Sequence, residues 1–372
     1  MAHAAPGTRI AIDGTGLTAI ELALHLTEGQ GGRFAHSGAD GHLTYEPSGS
    51  EPASIAMVSA SGLLPLPRPL DADRPLPFYE PVFLRPDQGL IDSSAASIWN
   101  AILSELAVAY ATQARRHAGA GPFPDLHELA LFRAYVLRET SGLDTRELLE
   151  RATRMAALGL SGDALCAALE IVFRRLRPNI QALVDRHALP VAEDWLIRER
   201  YFTIITKCVN GPSLESLLRI EALIDAGIVT VEKARPDAPA VYDGVLPGRV
   251  PSIAEVGEHG TLTSRLLRRG LLSNGAKEGY AGVAVDDAFR AVDVTGDAVP
   301  GLYVLGAPLE GYKSFQFSAA RPDVTHEVLR EIGTLCDAVL GEPALAAAPS
   351  PVPASMTAQY APRSRHRRGV FQ

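Results

Sequence analysis

The sequence predicts an α/β protein interrupted by a long helical insertion. Three observations lead there. An apolar strand runs through a glycine turn into a helix around residue 14, residues 94 to about 210 carry helical periodicity alone, and strand and helix patterns return near residue 215. With 372 residues, 47% of them hydrophobic, the chain can bury a substantial core in one large or two ordinary domains. Disorder of the whole chain is excluded.

In order, residues 9–12 read as a strand and 17–26 as a helix, with Leu17, Ile20, Ala23 and Leu24 at helical spacing and Glu28-Gly29 closing it. Residues 31–52 turn to Gly, Ser, His and Asp, which predicts an exposed hairpin or loop rather than core. Residues 54–59 supply the second strand of a βαβ unit. Between 62 and 86 stand seven prolines, so this stretch is expected to run extended over the surface. Helices follow: Ile98, Ile102, Leu103 and Leu106 share one face, Leu126, Leu129, Phe132 and Val136 another, and further helices are expected over 145–157 and 162–176, ending before Pro178. A helix continues over 193–208, another spans 214–226 before Gly227, and a strand covers 228–232. The last unit is expected to hold a helix at 259–270, strands at 283–285 and 302–305, and a helix at 322–340. The expected domains are 1–93 (nucleotide unit with its proline-rich connection), 94–213 (helical insertion around a substrate pocket), 214–344 (α/β) and 345–372 (flexible tail).

A net charge of −8 argues against a nucleic-acid partner, because phosphate contacts need clustered Lys and Arg, and the basic run at 363–368 lies in the tail. Cys166, Cys208 and Cys336 stand far apart with no metal-ligand spacing, so they read as reduced core thiols and no metal is expected. No apolar run approaches the ~20 residues that span a bilayer, and residues 1–9 lack the pattern of a signal peptide. A cytoplasmic location without membrane contact is the expectation.

The chemistry concentrates at Ile10-Ala11-Ile12-Asp13-Gly14-Thr15-Gly16-Leu17-Thr18-Ala19, a G-x-G-x-x-A spacing placed between a strand and a helix. Gly14 suits the tight turn, Gly16 lets a diphosphate approach the backbone, and Ala19 keeps the helix close to the sheet. The phosphate would then sit at the positive helix end, with Leu17 in the first turn and the hydroxyls of Thr15 and Thr18 as added donors. This predicts a Rossmann-like three-layer nucleotide-binding fold; a turn that joins strand to helix and binds nothing is the alternative. The second strand ends Val58-Ser59-Ala60-Ser61-Gly62, with neither the acid that reads a ribose hydroxyl nor an Arg for a 2′-phosphate. Arg68 follows a few residues on, so NAD and NADP stay open.

Two stretches resemble a known family. Gly14 to Ala19 together with Ser59-Ala60-Ser61-Gly62-Leu63-Leu64-Pro65 is similar to the nicotinamide-binding turn and following strand of two-dinucleotide flavoproteins. These are FAD/NAD(P)-binding enzymes related in plan to flavin monooxygenases and disulfide-reductase-like proteins. Gly301-Leu302-Tyr303-Val304-Leu305-Gly306-Ala307-Pro308-Leu309-Glu310-Gly311 resembles the late strand and turn that close their flavin site, with 282–286 and 291–296 like the strands leading into it. The resemblance implies a flavoprotein-like C-terminal segment in which Gly306, Ala307 and Gly311 approach the flavin. It also implies NAD(P)H and/or FAD as cofactors, and an oxidoreductase, monooxygenase-like, that passes hydride from NAD(P)H to flavin or directly to a small-molecule substrate. The family carries an earlier FAD-binding turn, whereas only eight residues precede this strand. A protein partner or second copy that completes the flavin half, reuse of the one turn for a single cofactor, and a truncated copy are the alternatives this implies. A non-catalytic partner subunit and an NAD(P)H-only reductase acting on a carbonyl or imine are the other functional readings.

No catalytic residue is assigned. His187 and His259 could act as acid or base but suit a helix end and a cap, and Arg265, Arg268 and Arg269 suit a helix C-terminus. Tyr312, Lys313 and Gln316 would stand beside a cofactor ring if the late turn closes the site. Glu193-Asp194 reads as a helix start, and Arg174, Arg175 and Arg177 as a solvated basic helix end.

Overall fold

A computed structural model describes residues 5–37, 42–85, 94–117, 126–185, 189–233, 242–249, 261–274, 282–316 and 327–341. The chain is of mixed α/β class and divides into two compact units, Met1–Leu183 with Ala188–Val250, and Val184–His187 with Pro251–Gln372. The proposed tail from 345 lies outside the described residues.

The first unit is built on a parallel sheet. Strand β1 (Arg9–Asp13) leads into helix α1 (Leu17–Thr27), a 3-10 turn carries the chain to Gly31, and the left-handed φ of 101° there ends the helix two residues later than Gly29. Strands β2 (Arg33–Ser37) and β3 (His42–Glu46) form an antiparallel hairpin, and β4 (Ser54–Ser59) returns parallel to β1, with Arg9 opposite Ser54 and Asp13 opposite Val58. Burial splits these strands by face. Ile10, Ile12, Ile55 and Met57 enter the main core with Ala19, Ile20 and Ala23 of α1, whereas Ala11, Ala56 and Val58 pack with Tyr242 on the other side. Near-continuous apolar runs such as Ile55 to Val58 are what a parallel strand covered on both faces requires.

The hairpin is exposed along β2, as its polar composition predicts, but one face of β3 is not. Alternation along β3 turns Leu43 and Tyr45 into the main core, and the buried Tyr45 hydroxyl donates to Glu51 Oε1 at 2.7 Å. The Glu51 carboxylate also accepts from the backbone N–H of Ser48 and of Gly49, at 2.7 and 2.8 Å. Gly32 has to be glycine because a Cβ there would collide with the Tyr45 ring and Glu51.

Helices α2 (Ala95–Ala114), α3 (Leu126–Leu131), α4 (Thr145–Gly162), α5 (Ala164–Leu169), α6 (Arg177–Val184), α7 (Val191–Leu196) and α8 (Thr203–Val209) make the helical stretch. Three π-helical stretches interrupt it, at Phe132–Val136, Glu170–Arg175 and Ile197–Phe202, where uninterrupted helices were expected. The helix expected to stop before Pro178 ends in one of them, and Pro178 instead stands in the first turn of α6, where its missing N–H costs nothing. Helix α9 (Leu214–Asp225) then delivers Leu217, Ile220 and Leu223 to the main core. Strand β5 (Val229–Lys233) joins the sheet beside β4, and β6 (Gly244–Pro247), which the sequence did not predict, joins beside β1. The sheet order is β5-β4-β1-β6.

The proline-rich connection runs mostly exposed from 68 to 83, as expected, but its first residues do not. Leu63 to Pro67 are buried rather than laid over the surface, and the N–H groups left between the prolines each find an acceptor: Leu66 on Lys207 O, Arg68 on Pro212 O and Leu70 on Ala156 O. Two carboxylates fix the rest of the path. Asp71 accepts from the N–H of Leu160 and Ser161, and the fully buried Glu105 accepts from Tyr79 Oη and from the N–H groups of Val82, Phe83 and Leu84.

In the second unit, a helix spans Leu262–Arg268 and strands β7 (Arg290–Val292) and β8 (Ala298–Tyr303) form an antiparallel hairpin whose turn is tied by the Asp293 carboxylate. The core gathers Leu272, Val283, Val285, Phe289, Ala291, Val299 and Leu309. The strand expected at 283–285 is only a pair of isolated bridges at Val283 and Val285, and the one expected at 302–305 lies earlier, in β8. The final helix is Glu327–Gly341. Among the described residues no single helix is long and apolar enough to cross a membrane.

Burial alone would raise the Glu51 carboxyl, but the hydrogen bonds from Ser48 and Tyr45 outweigh it and bring it down to about 2. The stabilisation is therefore fully present above the unfolded value of about 4.3 and is lost as pH falls from there through about 2. Replacing Glu51 by Gln should lower stability at pH 7 by about 1–3 kcal/mol, with the difference from wild type shrinking towards pH 2 in urea titrations.

Candidate functional site

The carboxyl ends of β1, β4 and β6 meet at the glycine turn. The chain leaves β1 to build β4 and β5 on one side and later returns to place β6 on the other, so the strand order reverses next to β1. In open parallel sheets the crevice outside the carboxyl ends at such a reversal is where ligands bind.

Gly14 turns the chain with φ 140°, and its N–H extends the ladder by donating to Val58 O at 2.8 Å. The residue after β6 closes against it. Gly248 N donates to Asp13 O at 3.0 Å, and the Gly248 carbonyl comes so near that a Cβ on Gly14 would lie 2.5 Å from its oxygen. A Cβ on Gly248 would in turn strike Ile12 and Ala19, so two glycines and the fully buried Ala19 allow strand, turn and helix to meet. Arg249 adds an ion pair to Asp13 at 3.3 Å.

Gly16 differs. It is the N-cap of the 11-residue α1, with no side-chain cap and no acidic residue in the first turn. Among the described residues nothing stands within 4 Å of where its Cβ would be. Helix N–H groups and the positive end of the helix dipole are thus presented beside backbone that a ligand can approach closely. These residues fit a diphosphate. Leu17 is 43% exposed at this end and Thr18 is half-buried beside it.

Thr15 does not supply the expected ligand hydroxyl. It is buried, and Oγ1 donates to Leu63 O at 2.7 Å while lying 3.1 Å from Ser59 Oγ. Ser59 is likewise used locally, accepting from Gly62 N at 3.1 Å in the turn that follows β4. The group that completes this cluster went unnoticed in the sequence. Lys207, partly buried on α8, reaches in to donate to Thr15 Oγ1 at 3.0 Å and to Leu63 O at 2.6 Å. Burial, aided by the charge of Arg138, pushes its ammonium down to about 8. Arg138 itself sits in left-handed backbone, φ 60°, just after the π-helical stretch Phe132–Val136, and burial and Arg200 hold its guanidinium below the ordinary range. No periodicity marks a lysine whose neighbours come from a strand end nearly two hundred residues away.

The late glycines form a separate cluster in the second unit. Gly306 (φ 75°) enters a 3-10 turn over Ala307–Leu309, and Gly311 (φ 101°) reverses the chain after it. The Tyr312 hydroxyl donates to Val285 O at 3.1 Å, and Lys313 Nζ lies 4.3 Å from the Phe289 ring centroid. Gln316 Nε2 donates to Glu331 Oε1 at 3.3 Å. All three side chains are engaged in packing their own unit.

His187 and His259 lie outside the described residues. Glu193 accepts from Ala95 N at 2.8 Å and so caps α2, and the buried Asp194 pairs with Arg198 at 2.8 Å. The basic helix end is solvated only at Arg175, which is exposed and donates to Leu76 O; Arg177 is buried and donates to Asn210, and Arg174 pairs with buried Glu170 at 3.3 Å. Arg68 Nε donates to Gly211 O at 3.4 Å. Cys166 and Cys208 are buried, and burial raises both thiols, whereas Cys336 is exposed rather than a core thiol. Among the described residues no cluster of His, Cys, Asp and Glu could hold a metal. No protein-family model and no curated protein matches the chain.

The contrast between the two turn glycines is measurable. Gly14→Ala should cost about 2–4 kcal/mol, through strained backbone and collision with the Gly248 carbonyl, whereas Gly16→Ala should change stability by less than about 1 kcal/mol in denaturant titrations. The lysine has its own signature. Its folded value lies below the unfolded ~10.4, so the charged form costs stability below about pH 8, and this cost is relieved as pH rises towards 10. Lys207→Met, which leaves Thr15 donating to Leu63 O, should raise stability at pH 7 by on the order of 1–3 kcal/mol, with a smaller gain at pH 10.

Proposed function

We propose that the first unit is a Rossmann-like dinucleotide-binding unit and that the chain works as an FAD/NAD(P)-binding oxidoreductase. The observation that carries this reading is Gly16: an open N-cap of α1 at the carboxyl end of β1, next to the reversal in strand order. Gly14 and Ala19 give the tight turn and close helix contact that this binding mode needs. The diphosphate would rest on the N–H groups of Leu17 and Thr18. Ser59, at the end of β4, would face the ribose.

When bound, NAD(P)H supplies a hydride, which passes to flavin or directly to a small-molecule substrate. The protein's part is to hold the diphosphate by backbone and dipole and to keep the nicotinamide in the crevice at the carboxyl ends of the strands. The resemblance of Gly301 to Gly311 to the turn that closes a flavin site supports FAD as a second cofactor, with a monooxygenase-like activity.

Gly16→Asp separates binding from folding. Aspartate is a favoured N-cap and should leave α1 at least as stable, but its charge would sit where the diphosphate must lie. In calorimetric titrations of the full chain with NADH, NADPH and FAD, the variant should lose on the order of a hundredfold or more in affinity with its melting temperature kept. Failure of all three to bind the wild type overturns the reading.

A further inference from the structure

The end of β4 is the place where a dinucleotide-binding sheet reads the adenosine ribose: a carboxylate there accepts from the 2′-hydroxyl, and a cation there accommodates a 2′-phosphate. In this chain the strand ends Ser59-Ala60-Ser61-Gly62, without a carboxylate. The nearest acid on the adjacent strand, Glu232, is paired with Val58 in register and its carboxylate is already taken by the hydroxyls of Tyr242 and Thr230, at 2.9 and 3.0 Å.

Cations surround the same end. Lys207 Nζ is bonded to Leu63 O and to Thr15 Oγ1, the latter 3.1 Å from Ser59 Oγ. The Tyr135 hydroxyl donates to the next carbonyl, Leu64 O, at 2.9 Å, and this anchors the segment that ends in Arg138 to the same post-strand loop. Lys233 lies opposite Ser59 across the sheet, and its Cβ sits where a side chain on Gly62 would be. Among the described residues no carboxylate forms an ion pair with Lys207, Arg138 or Lys233. Gathering like charges in a partly desolvated place is unfavourable unless an anion joins them.

Arg138 bears a second mark of this kind. It occupies the left-handed position after the π-helical stretch, where Glu139 N donates back to Arg133 O at 2.9 Å, a position at which glycine is the unstrained choice. An arginine there strains the backbone in order to place a guanidinium.

We infer that Lys207 and Arg138, with Lys233 at the rim, form a subsite for the ribose 2′-phosphate of the dinucleotide, so that the chain selects NADP(H) over NAD(H). This rests on the assignment of the Gly14–Gly16 turn to a dinucleotide. A phosphate monoester dianion would answer both the missing carboxylate and the uncompensated cations, whereas a bare ribose diol would find no carboxylate acceptor. With its ammonium at about 8, Lys207 keeps its charge at neutral pH.

The test is calorimetric titration of the full chain with NADPH, NADH, adenosine 2′,5′-bisphosphate and adenosine 5′-monophosphate. Wild type, Lys207→Met, Arg138→Gly, the double variant and Gly16→Asp are compared, with melting temperatures as the check on folding. Arg138→Gly removes the charge while suiting the left-handed backbone. Wild type should bind NADPH on the order of tenfold or more tighter than NADH, and the bisphosphate should compete better than the monophosphate. In the double variant NADPH affinity should fall to the NADH level while NADH affinity stays. Equal wild-type affinities, or a preference that survives in the double variant, overturn the subsite; if Gly16→Asp then abolishes binding of both, the dinucleotide assignment still stands. Binding of neither cofactor by the wild type overturns both.

Discussion

One clamp joins three parts of the first unit that are distant in sequence. Lys207 Nζ donates to Thr15 Oγ1 and Leu63 O, across sequence separations of 192 and 144 residues, and Thr15 Oγ1 donates to the same carbonyl. The Thr15 hydroxyl by itself ties the glycine turn to the loop after β4, and Lys207 brings α8 to the same carbonyl at a cost in desolvation. A carbonyl that leaves a strand end needs a donor once water is excluded, and here it takes two, one of them charged. The arrangement commits the hydroxyl of Thr15 to the fold, so that at the glycine turn itself it is the backbone at Gly16 that stays open.

The same principle governs the long connections. Proline removes N–H donors, and the N–H groups that remain have to be satisfied individually once the segment is buried. Glu105 meets this need for Val82, Phe83 and Leu84, and in the same way Asp71 gathers backbone donors of α4 and Glu51 those of Ser48 and Gly49. Such carboxylates look like candidate acid or base groups in a sequence. Their oxygens are already occupied in holding the chain.

Close backbone approach is the other recurring constraint. Gly14 against Gly248, and Gly211 against the Leu66 backbone, are contacts that any Cβ would prevent. The first sets the relation of β1, α1 and β6. The second seats the proline-rich segment beside the loop that follows α8. Both lie where the chain must cross itself tightly at the carboxyl side of the sheet, so the space that shapes the candidate site is set by glycine contacts as much as by the apolar core.

Local pattern by itself determined the α/β class, the β1-turn-α1 unit, β4 to the residue, α9 and β5, because apolar periodicity and glycine punctuation are consequences of short-range geometry. Tertiary structure alone decided the rest. β6 is four residues long and is a strand only because β1 offers an edge, and Tyr45 of the polar hairpin enters the core because Glu51 accepts from its hydroxyl. The start of the proline-rich segment, Leu63 to Pro67, is buried beside α8, which supplies an acceptor for Leu66 N, and π-helical stretches stand where the periodicity predicts regular helix. At the candidate site the sequence displayed Gly14 and Gly16, whose roles follow from backbone freedom. It did not display Lys207 and Arg138, since burial and proximity of charge belong to residues brought together only by the fold.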